Sequence, residues 1–275
     1  MHRRPALQLV AFSKHTFDAP GEAEALIEQL MRVPFGATRF GAAEPARTPL
    51  TGAGRSAAAS ALRGVEGANY GTIVLAGTKP RMTVLVDWRR DRTSTWHAEL
   101  DVSMASNPSR REVLVDALAD LFTRFPARFA ALAPAHCWRA RHWHVETFDD
   151  GGETHTKVGL DLEGQLPGVF WWTLLGREAT SHFGRDALLA APAAQVLDLG
   201  EAGGVVLRAA PCPPEGSDVH LSAAEAALRD HLGSEYFFGI RAPTRRRAVI
   251  PGLTGPSAAD GRPPPGRPPA TEPIS

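Results

Sequence analysis

The stretch YGTIVLAGTKPRMTVLVDWRRDRTSTWHAELDVSM, residues 70–104, holds three apolar or alternating runs separated by GTKP and RRDR. Strands expose alternate side chains to opposite faces, and short polar or Pro/Gly-containing breaks suit tight reversals. The three runs, YGTIVLAG, RMTVLVDW and STWHAELDVSM, therefore read as an antiparallel meander and the core of a sheet.

Elements on either side extend this core. On the N-terminal side ALQLVAF (6–12) reads as a strand. EAEALIEQLMRV (22–33) follows as a helix, with Ala25, Ile27, Leu30 and Met31 near one stripe, until Pro34 stops it. Residues 34–54, rich in Pro and Gly, read as a long loop, and SAAASALR (56–63) as a small helix. On the C-terminal side SRREVLVDALADLFTRF (109–125) is the clearest helix, with Ser109 as its expected cap and Val113, Leu114, Ala117, Leu121 and Phe122 as its apolar stripe. RHWHVETF and THTKVGLDL flank DDGG, a hairpin signal. GVFWWTLL, AQVLDL and GVVLRA read as further strands, and LSAAEAALRDHL (221–232) as a last helix. The expected class is α+β, a single domain with helices packed on an antiparallel sheet.

Composition limits what such a domain does. The 275 residues are 43% apolar and 22% charged, enough for a core without disulfide staples. Thirty basic residues balance thirty acidic ones, so no global field draws the chain to nucleic acid or anionic lipid. All the basic residues except Lys14, Lys79 and Lys157 are arginine. Beside the abundant Ala, Gly and Pro this reads as the coding bias of a GC-rich genome. Two cysteines, Cys137 and Cys212, fit a reducing compartment. The N-terminus shows no small-residue cleavage pattern and no apolar run reaches about eighteen residues, so the expectation is a cytoplasmic protein without a membrane span. From Thr244 onward the text is Pro/Gly-rich, which places the domain at 1–243 and a disordered tail at 244–275.

The span 136–162 gathers four of the ten histidines, one cysteine and several carboxylates. If Phe148 pairs with Glu153 across the turn, His142, His144, Glu146, His155 and Lys157 share one strand face, with Trp143, Val145, Thr156 and Val158 on the other. Alternate strand residues lie about 7 Å apart, so His142, His144, Glu146 and His155 could chelate zinc for hydrolysis. Lys157 beside His144 opposes a cation. A solvated or partner-facing strand explains the same pattern without a cofactor. Motifs for nucleophile elbows, zincins and phosphate loops are missing, GAGRSAAAS (52–60) being the nearest approach to the last. His136 and Cys137, adjacent on a strand, would point to opposite faces, which makes them a poor thiol–imidazole couple.

Contact residues are expected where carboxylates or large aromatics protrude. The turn carboxylates Asp149, Asp150 and Glu153 suit a cationic partner, and either Trp171 or Trp172 of the FWW run is an interface anchor if exposed.

The stretch QLPGVFWWTLLGREATSHFGRDALLAAPAAQVLDLGEAGGVVLRAAPCP, followed by LSAAEAALRDHLG, resembles the C-terminal part of bacterial immunity proteins of the type VI secretion and polymorphic-toxin systems. The resemblance lies in a Gly-aromatic-Trp strand, a small helix, a second Gly, two strands around Gly-Gly and a final helix, best over 157–240. It implies an α+β body that works by binding a cognate toxin, without catalytic positions or cofactor. The doubled Trp and the long tail depart from that pattern. The alternatives are the zinc hydrolase and a scaffold module whose PPPGRPP segment engages an aromatic groove.

Overall fold

The computed structural model describes residues 6–64, 69–147, 153–157, 159–160, 162, 165–214, 222–238 and 249–253. The strands are β1 (Ala6–Ser13), β2 (Arg39–Gly41), β3 (Thr48–Pro49), β4 (Tyr70–Thr78), β5 (Arg81–Arg89), β6 (Ser94–Asp101), β7 (Phe129–Pro134), β8 (Trp143–Thr147), β9 (Glu153–Lys157), β10 (Trp172–Leu175), β11 (Gln195–Asp198) and β12 (Val205–Arg208). The helices are α1 (Glu22–Met31), α2 (Ala53–Arg63), α3 (Pro108–Arg124), α4 (Ala135–His142), α5 (Arg177–Phe183), α6 (Arg185–Leu189), α7 (Gly200–Gly203) and α8 (Ala223–Leu232).

All strands except β8 and β9 join one antiparallel sheet in the order β11-β12-β10-β7-β1-β6-β5-β4-β2-β3. The domain is α+β, as the meander implies. Alternation sorts its side chains into two cores. In β1, Leu7, Leu9 and Ala11 join the cluster under α1, α2 and α3, while Val10 and Phe12 join a second cluster with α4, α5, α6 and α8. The first cluster runs the width of the sheet from Ile73 and Leu75 of β4 to Val206 of β12. Among the described residues, the buried strand positions of the second lie on β1, β7, β10 and β12, with Val196 of β11 packed against them.

The structure departs from sequence expectation at several elements. Residues 34–54 contribute the edge strands β2 and β3, the latter closed by Pro49, which has no N–H to offer a further strand. β7, FAALAP, is buried at every position and sits between β1 and β10. A strand covered on both faces loses its polar alternation, so it carries no period-two signal. Helix α3 is capped by Asn107, whose Oδ1 accepts the Arg110 N–H at 2.9 Å, with Pro108 opening the helix in place of the expected Ser109 cap. Its buried face is Leu114, Val115, Leu118, Leu121 and Phe122, whereas Val113 is 44% exposed. α8 carries a full capping box, Ser222 Oγ accepting from Glu225 N–H and Glu225 from Ser222 N–H.

The domain boundary expected at 243 is also corrected. Ile250 and Leu253 are 0% and 2% exposed and belong to the second cluster. Arg128, 4% exposed, donates to the Gly252 carbonyl, to Glu178 Oε1 at 3.2 Å and to Thr93 Oγ1 at 2.8 Å. Apolar residues in VIPGL therefore dock a strap of chain on the body, a role hidden in sequence by the Pro/Gly text around it.

Candidate partner-binding face

Among the described residues, helices pack on one face of the half-sheet formed by β4, β5 and β6. Along β5, Met82, Val84, Val86 and Trp88 point into the first cluster, so strand alternation turns Arg81, Thr83, Leu85, Asp87 and Arg89 to the opposite side. The same parity on β6 buries Trp96, Ala98 and Leu100 and turns out Thr95, His97 and Glu99, and on β4 it turns out Thr72, Val74 and Ala76. Register then makes these positions one surface. Thr72 stands opposite Asp87, Val74 opposite Leu85 and Ala76 opposite Thr83, while Leu85 also faces His97 and Thr83 faces Glu99. Val74 is 3% exposed yet belongs to neither core cluster.

The limit of the surface lies at β1. There Trp138 of α4 donates its indole N–H to the Gln8 carbonyl at 2.8 Å, and α4 begins the helical cover of the other half. At the far end Tyr70, 59% exposed, lies under the Arg89 guanidinium, 5.7 Å from ring centroid to Cζ. Arg81 and Glu99 approach to 4.0 Å, both largely in solvent, a contact of little energetic weight. Burial raises the carboxyl pKa of Asp87, opposed by a hydrogen bond from the Thr95 backbone and by the charges of Arg89 and Arg92. Hydroxyls, one leucine, a half-buried carboxylate and a Tyr–Arg pair suit the recognition of a complementary surface.

The residues singled out in the sequence fall elsewhere. Trp171 and Trp172 are 1% and 0% exposed and are corrected from contact residues to core. Trp171 donates its indole N–H to the Ala210 carbonyl at 2.9 Å, and Trp172 lies 6.0 Å from Phe122. Both join the first cluster and Phe170 the second. The expected alternation fails there because β10 begins only at Trp172; just before it, Thr173 Oγ1 bonds both the N–H and the carbonyl of Phe170. Asp149 and Asp150 lie outside the described residues, and Glu153 opens β9 opposite Thr147.

The histidine grouping is corrected as well. His142 ends helix α4 and is 1% exposed, its ring 5.4 Å from Trp138, 5.9 Å from Phe170 and 5.6 Å from Phe238. Thr147, not Phe148, pairs with Glu153, which sets His155 opposite Val145 and Lys157 opposite Trp143, while His144 and Glu146 pair with Thr156 and Thr154. A one-residue shift moves a strand's set of side chains to the other face, so His155 and Lys157 occupy different face positions from His144 and Glu146. Among the described residues no group of three or more His, Cys, Asp or Glu is placed to hold a metal ion.

Cys137 lies in α4, not on a strand as expected. Burial pushes its thiol up to about 11, with Glu225 adding to the rise and Arg141 opposing it. At neutral pH it is a protonated, weakly nucleophilic thiol, whereas Cys212 is exposed. Iodoacetamide is therefore expected to label Cys212 in the native protein and Cys137 only after denaturation. Peptide mass spectrometry showing equal native labelling would mean that α4 is not packed as described.

Among the described residues no helix is long and apolar enough to cross a membrane. No family model matches the chain, and no curated protein matches its sequence. Its fold is similar to a solved structure, the Pseudomonas aeruginosa T6SS protein PA0821. The TM-score is 0.56 and the identity 14%, over 83% of this chain and 75% of that one. At that identity the likeness is one of fold.

Proposed function

We propose that this is a non-enzymatic binding protein that neutralises a cognate secreted toxin by occlusion, acting in the cytoplasm of a cell equipped with type VI secretion. The observation that carries the reading is the asymmetric cover of the sheet. Among the described residues, one face is packed across its width, while no helix lies over Thr72, Thr83, Leu85, Thr95 and the Tyr70–Arg89 pair on the other side of β4, β5 and β6. The fold likeness to a T6SS protein supports the same setting. A broad sheet surface provides area and hydrogen-bonding groups at little ordering cost, which suits stoichiometric occlusion. Asp149, Asp150 and Glu153 form a second contact in this reading, steering a cationic toxin surface toward the complex.

Co-expression with the product of the neighbouring gene tests the proposal. The expected result is protection of the host cell and a one-to-one complex by light scattering. Tyr70→Ala and Leu85→Arg should each weaken that complex by about 1–2 kcal/mol or more. Changing Asp149, Asp150 and Glu153 to Lys should slow association at low salt. Failure to bind any neighbouring product would remove the immunity reading. A complex indifferent to Leu85→Arg would keep immunity and move the interface off this face.

A further inference from the structure

A groove of about 540 Å³ opens between the end of α1, the β4–β5 turn and the start of α3. Its floor includes the buried Met104, and its walls include Pro80, Val33 and Val113. Val33 and Val113 are 82% and 44% exposed, so two of the molecule's exposed large apolar side chains flank a single depression. Val113 belongs to α3 but stands off the face that the helix buries, and no packing requirement accounts for an apolar residue there.

The rim of the groove is cationic. Lys79 and Arg110 line it, no acidic side chain among the described residues does, and neither cation has an ion-pair partner among those residues. Arg110 sits in the first turn of the seventeen-residue helix α3, which carries no acidic residue in that turn. The positive end of a helix favours anions, and here it meets like charge instead. A carboxylate seated at the rim would relieve that repulsion while an apolar side chain beside it covers Val33 and Val113.

We infer that this groove docks a segment of a protein partner that carries a large apolar side chain next to acidic ones. A protein segment is favoured over a free fatty acid because Val33 stays mostly in water. The groove thus covers one side of an occupant and does not enclose it, whereas small-ligand sites enclose most of theirs. The inference does not rest on toxin neutralisation, since these residues lie outside the outward positions of β4, β5 and β6 assigned to that role.

The test uses the full chain and two short peptides with identical leucines, one bearing glutamates and the other lysines, titrated by fluorescence anisotropy. The glutamate peptide should bind at least about tenfold more tightly. Val33→Ser with Val113→Ser should weaken it about tenfold. Lys79→Glu with Arg110→Glu should reverse the preference between the peptides. All four positions are exposed, so an unchanged melting temperature verifies that the variants are folded. Equal affinity for both peptides, no binding of either, or a preference that survives the charge reversal would overturn the inference. Decanoate bound at the groove in place of the glutamate peptide would also overturn it, in favour of a small amphiphile.

Discussion

A chain ending at residue 243 is expected to melt on the order of ten degrees below the full-length protein, while one ending at 253 keeps the docked strap and its contribution. The reason is the packing of Ile250 and Leu253, both essentially without solvent contact, into the cluster that holds α5, α6 and α8 on the sheet. Burying each such side chain contributes about 1.5–3 kcal/mol relative to exposure. Removing the strap also takes the Gly252 carbonyl from Arg128, a cation only 4% exposed whose remaining partners are Glu178 and Thr93. Losing that hydrogen bond to a charged group adds about 1.5–3 kcal/mol at most, since water can replace the carbonyl once the strap is gone. In the full chain Ile250→Ala and Leu253→Ala should each cost about 2–5 kcal/mol in urea denaturation. Coincident melting of the 243-residue and full-length chains would show that the strap contributes nothing.

The second large effect lies at the ion pair between Arg141 and Glu225. Arg141 Nη2 meets Glu225 Oε2 at 2.6 Å, and Nη1 donates to the Val169 carbonyl at 2.7 Å. Its guanidinium also lies 4.8 Å from the Phe170 ring centroid. Glu225 is 1% exposed and caps α8 at the same time. Deleting either partner strands a buried charge, so Arg141→Ala and Glu225→Ala should each destabilise by about 3–5 kcal/mol. Glu225→Ala should add the loss of half a capping box, about 0.5–2 kcal/mol. The double variant Arg141→Met with Glu225→Leu should cost less than the sum of the corresponding single changes, because it removes both charges and refills the space. Denaturant midpoints for the four proteins form a double-mutant cycle; single variants within about 0.5 kcal/mol of the parent would refute a buried, coupled pair.

Neither the strap nor this ion pair is legible in the sequence. Arg141 and Glu225 are separated by more than eighty positions and belong to helices whose meeting is a tertiary event. α4 itself was obscured. RHWHVETF reads as an alternating strand from Arg141, but the helix runs to His142 and the strand begins one residue later. That boundary, together with the Thr147–Glu153 register, separates the histidines that an idealised hairpin gathers on one face. In the same way FWW showed that a large aromatic surface had to be buried or recognised, while only the packing of Trp172 near Phe122 and the bond from Trp171 to Ala210 showed which.

By itself the sequence determined the meander β4–β5–β6, the helices α1, α3 and α8, and hence an α+β domain built on an antiparallel sheet. These elements bury one face or one stripe, and a one-sided environment writes its period into the chain. Tertiary structure alone decided the central strand β7, the docking of Ile250 and Leu253, the burial of Trp171 and Trp172, and which face of β4–β6 the described helices cover. Whether a strand's second face meets water or another layer depends on where distant helices come to rest. Helices cover Val10 and Phe12 of β1 but leave Leu85 of β5 part-exposed, although all three are apolar residues on the same side of one sheet.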